Sequence, residues 1–259
     1  MTDNKLKCFI IGYPIKKPRS TKIWNNFLIT NKINAKMKTL EMKKSQINNF
    51  LIEIKNDPLF LSTLVTMPYK KKILEFIDNK HSSVINTNSA NLVCKKNNKL
   101  KAYNTDVLGA EHCLKNEIRK YNTIIIIGIG GSGEAIFRYL FSKYKNKKFI
   151  LISSKFKFKS SRVKILNKIN KNILSNKSLI INCTPIGSDL KKNLINKSPI
   201  SKSLFKYINN YSFIFDIIYK PKKTLLAKLS KLYNIKYLNG LEMNSIQAAI
   251  GLKIVFKNV

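Results

Sequence analysis

Cysteine, histidine and acid are what this chain has little of. Its four cysteines (Cys8, Cys94, Cys113 and Cys183) are scattered over 259 residues with no C-x-x-C pair. That spacing excludes a thiolate zinc site and a disulfide framework, and it fits a reducing cytoplasm. The two histidines, His81 and His112, stand alone, without an acidic partner or metal-ligand spacing. No Ser-His-Asp set can be assembled and Cys183 lacks a partner, so nucleophilic hydrolysis is unsupported and no metal is expected. No apolar run approaches the ~20 residues of a membrane span. The opening MTDNKLKCFIIGYPIKK has no apolar core long enough for a signal peptide. A cytoplasmic protein with no membrane partner is the expectation.

Acidic residues number 13 against 49 lysines and arginines, for a formal net charge of +36. So basic a chain points first to nucleic acid. The lysines, however, run through the whole length, together with an excess of asparagine and isoleucine. These three residues share A/T-rich codons, so the charge reads as compositional drift. No nucleic-acid motif accompanies it, and no basic run interleaved with aromatics lies on one face. Nucleic acid is therefore not an expected partner. At 44% hydrophobic residues the chain can bury one large core or two modest ones.

What is present centres on residues 122–135, NTIIIIGIGGSGEA. Four successive isoleucines read as a strand buried on both faces, as in a parallel sheet. Gly128, Gly130 and Gly133 then fit G-x-G-x-x-G, and residues 134–143 carry apolar side chains at helical spacing. Strand, glycine turn and helix in that order are the context of a dinucleotide site, where backbone N–H groups meet a pyrophosphate.

Before this stretch, strands are expected at 6–15, 32–42, 60–68, 84–87 and 90–94, with helices at 21–29, 45–54, 70–76 and 106–116. After it, strands are expected at 149–152, 179–182, 213–218 and 236–238, and helices at 161–167, 224–233 and 243–256. Alternation of this kind predicts α/β architecture with a doubly wound parallel sheet around the glycine strand. The domain boundary falls near Asp106.

Two residues suggest chemistry. Lys70 comes just after a predicted strand and Asp106 opens a predicted helix. Each has an ordinary explanation, a surface charge and a first-turn anion favoured by the helix dipole. Together they can do more. A lysine ammonium donates a proton to a carbonyl oxygen as hydride arrives, and a carboxylate beside it fixes its position.

Eight ordered motifs now resemble the shikimate dehydrogenase family along nearly the whole chain. They are Gly12-Tyr13-Pro14-Ile15 with Ser20 and Asn25; V-T-M-P-Y-K at 65–70; V-I-N-T at 84–87; and Asn104-Thr105-Asp106 with Gly109. Then come the glycine loop, N-C-T-P-I-G at 182–187, Asp216 to Tyr219 and Pro221 with T-L-L at 224–226, and Gly240 to Met243 with Gln247. The resemblance implies two α/β domains. Residues 1–105 would form the N-terminal substrate-binding domain, with the closing helix 241–259 packed back on it. Residues 106–240 would form a C-terminal Rossmann-like NADP-binding domain, with the active-site cleft between the two.

The implied reaction is reversible, NADPH-dependent reduction of 3-dehydroshikimate to shikimate in chorismate and aromatic amino-acid biosynthesis. Lys70 and Asp106 would be catalytic. Ser20, Thr66, Asn86, Asp106, Tyr219 and Gln247 would bind substrate. Gly128, Gly130, Gly131, Ser132, Gly133, Ser153, Ser154, Lys155, Ile217 and Gly240 would bind cofactor. A homodimer is compatible with this reading. Pro18, Thr21, Trp24, Leu64, Ala102 and Asn244 depart from the family pattern. No acid follows the strand at 149–152, which favours NADP over NAD; yet Ser154 stands where NADP-preferring members carry an arginine. The alternatives are an NAD-dependent quinate/shikimate dehydrogenase and a non-catalytic remnant that binds nucleotide or metabolite.

Overall fold

The computed structural model describes residues 5–16, 18–190 and 192–256. Residues 1–4, Lys17, Lys191 and 257–259, which the expected domain extents include, lie outside the described residues. The chain divides into two compact units, one of residues 1–108 and 246–259, the other of residues 109–245.

The first unit holds β1 (Leu6–Gly12), α1 (Arg19–Thr30), β2 (Ala35–Glu41), α2 (Ile47–Asn56), β3 (Phe60–Val65), β4 (Asn79–Lys80), α3 (Ser82–Ile85), β5 (Leu92–Lys96) and β6 (Lys99–Tyr103). The chain leaves it within α4 (Thr105–Lys120). Its sheet has the order β2-β1-β3-β5-β6-β4. It is mixed: β1 pairs in parallel with β2 and β3, while β5 runs antiparallel to β3 and β6. Exposed Lys36 and Lys38 sit on edge strand β2, where charge discourages pairing with another chain.

The second unit holds β7 (Thr123–Ile127), α5 (Gly131–Lys143), β8 (Lys148–Ile152), β9 (Val163–Leu166), α6 (Lys171–Leu174), β10 (Leu179–Asn182), α7 (Lys202–Phe205), β11 (Phe213–Asp216), α8 (Leu225–Leu232) and β12 (Lys236–Asn239). The chain returns to the first unit within α9 (Leu241–Val255). All strands of the second sheet are parallel, in the order β12-β11-β10-β7-β8-β9. That is the doubly wound order of dinucleotide-binding folds, with the switch point beside β7. The isoleucine run fills the centre, and Ile124, Ile125 and Ile126 are fully buried between β8 and β10.

The end of α9 and the residue after it complete a core in the first unit. Leu252 and Phe256 join Cys8, Ile10, Trp24, Leu28 and Met37 in one buried cluster. The Phe256 ring meets Trp24 edge-on at 6.0 Å.

Three local expectations change. Residues 84–87 are not a strand: capping chemistry outweighs the β-branched pair there. The His81 ring accepts from Ser83 N and starts α3, and Thr87 Oγ1 donates to Ser83 O at 2.6 Å. Residues 161–167 are not a helix. Val163 and Ile165 alternate with Lys164, a period of two, and pair with β8 as strand β9. The crossover from β8 to β9 therefore contains no helix. Phe156 and Phe158 take its place against Phe137 and Phe141 of α5. Arg162 stacks on Phe141 at 3.9 Å and donates to the carbonyls of Phe141, Tyr144 and Lys147. Finally, α5 starts at Gly131, inside the glycine motif, rather than at residue 134.

Candidate active site

The first unit brings together Lys70 and Asp106. The turn after β3 carries Lys70, and its backbone is held on both sides. Thr66 N donates to Ile11 O, Tyr69 N donates to Thr66 O, and Ala90 N donates to Lys70 O. Tyr69 is buried and its hydroxyl donates to Met42 O at 2.5 Å. Asp106 lies in the first turn of α4. Asn104, just before the helix, is buried; it donates to Ser89 O and accepts weakly from Val107 N. Thr105 N donates to Asn91 Oδ1 at 2.7 Å, and the Thr105 hydroxyl donates to Gln247 Oε1 at 3.0 Å. With both neighbours pinned, the Asp106 carboxylate accepts from Lys70 Nζ at 2.5 Å.

Both side chains stay reachable, at 25% and 26% exposure. An ion pair that wet contributes at most about 1 kcal/mol to stability. The elaborate fixing of its backbone is therefore out of proportion to any role in holding the fold. An ammonium has three donors, so Lys70 can hold Asp106 and still meet a second acceptor.

The same unit carries other expected residues. Gly12 ends β1, and a Cβ there would come within 2.4 Å of the Thr66 methyl, which is why the G-Y-P turn needs glycine. Tyr13 N donates to Met67 O and joins that turn to the one carrying Lys70. Ser20 sits in the first turn of α1, whose N-terminus, capped by Pro18, has no side-chain cap. First-turn N–H groups of this kind suit a carboxylate. Trp24, one of the departures from the family pattern, is wholly buried in the core.

Gln247 joins the Asp106 group through Thr105. Asn86 ends α3, and the buried amide bonded to Thr105 is Asn91. Sequence reading assigned no role to Asn91, whose amide fixes Thr105 at the start of α4. The signal available was the Ser-Ala-Asn preceding the apolar start of β5.

The second unit holds the glycine loop. Gly128 has φ +87°, and a Cβ there would meet Thr184 at 2.5 Å. A Cβ on Gly133 would lie 2.0 Å from Gly128 O. Those two glycines are required by packing. Gly130 and Gly131 are not, since a Cβ on either meets nothing within 4 Å. Ser132 is exposed beside them, and the N-terminus of α5 has no side-chain cap.

At the end of β8, Ser153 Oγ accepts from Lys155 N and Phe156 N, while Ser154 and Lys155 are exposed. Ile217 follows β11 and Gly240 abuts it; a Cβ on Gly240 would lie 2.1 Å from Ile217 O. Tyr219 is partly exposed on the same loop, in the second unit. Among the described residues no group of three histidine, cysteine or acidic side chains could hold a metal. No helix there is long and apolar enough to cross a membrane.

Asp216 organises this loop, a role the sequence reading did not assign. It is fully buried at the end of β11. Its Oδ1 accepts from Asn182 Nδ2 and Ile218 N, and its Oδ2 from Thr224 Oγ1 and Tyr237 OH. Asn182 Oδ1 in turn accepts from Thr184, next to Gly128. The signal was an acid closing the apolar run F-I-F-D in a chain so short of acids.

Burial pushes the Asp216 carboxyl above its ordinary value, although its four donors pull the other way. The fold thus favours the protonated form, and that contribution is lost as pH rises through the folded pKa. The stability of Asp216→Asn relative to the natural chain is expected to rise as pH climbs above the ordinary carboxylate range, read from urea midpoints. A gap moving the other way would remove the desolvation argument.

Residues 10–93 match the family described as shikimate dehydrogenase substrate binding domain. The chain is 32% identical to "Shikimate dehydrogenase (NADP(+))" of Clostridium botulinum strain Hall, over 94% of this chain and 94% of that protein. Its fold is similar to the crystal structure of shikimate dehydrogenase from Aquifex aeolicus, with a TM-score of 0.81 and 23% identity over 98% of this chain and 94% of that one. It is also similar to the Thermus thermophilus shikimate 5-dehydrogenase solved with NADP(H) and shikimate. There the TM-score is 0.80 and the identity 17%, over 98% and 94% of the two chains.

Proposed function

The chain belongs to the shikimate dehydrogenase family, and from that premise we propose that it reduces 3-dehydroshikimate to shikimate with NADPH, reversibly. The observation that carries the mechanism is the Lys70–Asp106 pair at 2.5 Å. In the reductive direction the nicotinamide, when bound, supplies a hydride to the carbonyl carbon. Lys70 gives the carbonyl oxygen its proton, and the oxygen becomes the new hydroxyl. The neutral lysine is reprotonated from water through its exposed side.

Asp106 holds the ammonium in place and accepts from a substrate hydroxyl. Ser20, at the uncapped start of α1, and Thr66 bind the carboxylate and ring hydroxyls, with Asn86 and Gln247 on the amide side. Gly128 to Gly133 would hold the pyrophosphate at the N-terminus of α5, and the Ile217 loop with Gly240 would support the nicotinamide.

The test is oxidation of shikimate and of quinate, each with NADP⁺ and NAD⁺, compared by kcat/KM. The highest value is expected for shikimate with NADP⁺. A highest value for quinate with NAD⁺ would overturn the assignment in favour of the NAD-dependent reading. No turnover in any of the four would leave only a metabolite-binding remnant.

A further inference from the structure

We propose that Arg138 on α5 grips the 2′-phosphate of the cofactor and so sets the choice of NADP over NAD. This rests on the NADP reading above. The turn after β8, where a 2′-phosphate residue would be sought, offers Ser153, Ser154 and Lys155 and no arginine. Its Ser153 hydroxyl is already engaged by two backbone N–H groups.

Arg138 is one of only four arginines, against forty-five lysines. In a chain so biased to lysine, an arginine marks a place where a planar fork does something a point charge cannot. Arg162 shows such a use, stacked on a ring while bonding three carbonyls.

The geometry of Arg138 points the same way. Helical side chains lean toward the helix N-terminus. Arg138 does so, donating from Nε to Glu134 Oε1 at 2.8 Å, one turn nearer the glycine loop. Its guanidinium carbon lies 5.9 Å from the Phe156 ring and 5.8 Å from the Phe158 ring. Those rings stack on each other with a 7° interplanar angle. Phe156 is the residue whose N–H closes the Ser153 turn. Arg138 is therefore held from three sides, by a carboxylate and two rings, beside the turn that follows β8.

One nitrogen is spent on Glu134, and the two terminal amino groups bond to no described residue. The side chain is 36% exposed, so they are within reach of a ligand. Glu134 facing a phosphate on its own would repel it, and the pair removes that repulsion. Lys155, exposed on the turn, adds a second positive charge.

The experiment uses the full chain with Arg138→Met, which keeps an apolar stem against the rings, and Arg138→Lys, which keeps the charge and loses the fork. Calorimetry gives the Kd for adenosine 2′,5′-bisphosphate and for ADP, and kinetics gives the KM for NADP⁺ and NAD⁺. Arg138→Met is expected to weaken the bisphosphate and NADP⁺ by about 10- to 100-fold while ADP and NAD⁺ stay within about twofold. Arg138→Lys is expected to fall between, and it carries the test alone if the methionine variant does not fold. Equal weakening of phosphorylated and unphosphorylated ligands would reduce Arg138 to a prop for the aromatic crossover. Unchanged discrimination would overturn the inference outright. A natural protein that itself prefers ADP and NAD⁺ would instead overturn the NADP reading, and that outcome is read before any variant is made.

Discussion

Lys70→Ala is expected to lower the turnover of shikimate oxidation by at least ~100-fold, the ordinary contribution of a placed acid–base group. Its melting temperature should stay close to that of the natural chain, because a pair at 25% and 26% exposure adds little to stability. The loss should appear in kcat, with the KM for NADP⁺ changed by no more than about twofold. Lys70→Arg is not expected to restore activity, because a guanidinium stays protonated and cannot pass its proton on. Asp106→Asn keeps the hydrogen-bonding shape and removes the charge that orients the ammonium, so a fall of roughly 10-fold or more accompanies a weaker KM for shikimate. Normal turnover in Lys70→Ala would take Lys70 out of the mechanism, whatever became of Asp106.

The second large effect separates the glycines of the loop. Gly133→Ala drives a Cβ to 2.0 Å from Gly128 O, a backbone atom that cannot swing aside. The strain should cost about 2–3 kcal/mol, which is roughly 5 °C or more in Tm for a protein of this size. Both NADP⁺ and NAD⁺ should bind at least ~10-fold more weakly as α5 shifts from the loop. Gly130→Ala should behave differently, since a Cβ there meets nothing and φ is an ordinary −85°. Its Tm should barely move, while the KM for both cofactors rises because the methyl group stands where a phosphate approaches. Melting curves and cofactor titrations on the two variants read these outcomes. A Gly130→Ala protein with unchanged affinity for both cofactors would detach the loop from cofactor binding.

How much of this was legible in the sequence depended on whether a signal was local. The isoleucine strand and its glycines combine a buried run with a turn that only glycine can make, and both were readable. Lys70 and Asp106 were readable as candidates, but their contact was not. It depends on the turn after β3 and the start of α4 being brought side by side through Ala90 and Asn91. Residues 84–87 and 161–167 went the other way, because in short segments a cap or an alternation outweighs intrinsic preference. Asp216 and Arg138 carried no motif of their own. One is defined by four donors converging from separate segments, the other by rings on a crossover that, in a fold of this kind, would ordinarily be a helix.

The return of α9 into the first core has a consequence in time. Chains emerge from the ribosome N-terminus first, and units tend to fold as they appear. Here Leu252 and Phe256 belong to the same cluster as Cys8 and Trp24, and Gln247 supplies the acceptor for the Thr105 hydroxyl beside Asp106. The first unit to be synthesised is thus the last that can close. While it waits, its unfinished core stays open to solvent and to other chains, and the dinucleotide unit, contiguous from residue 109 to 245, is free to finish first.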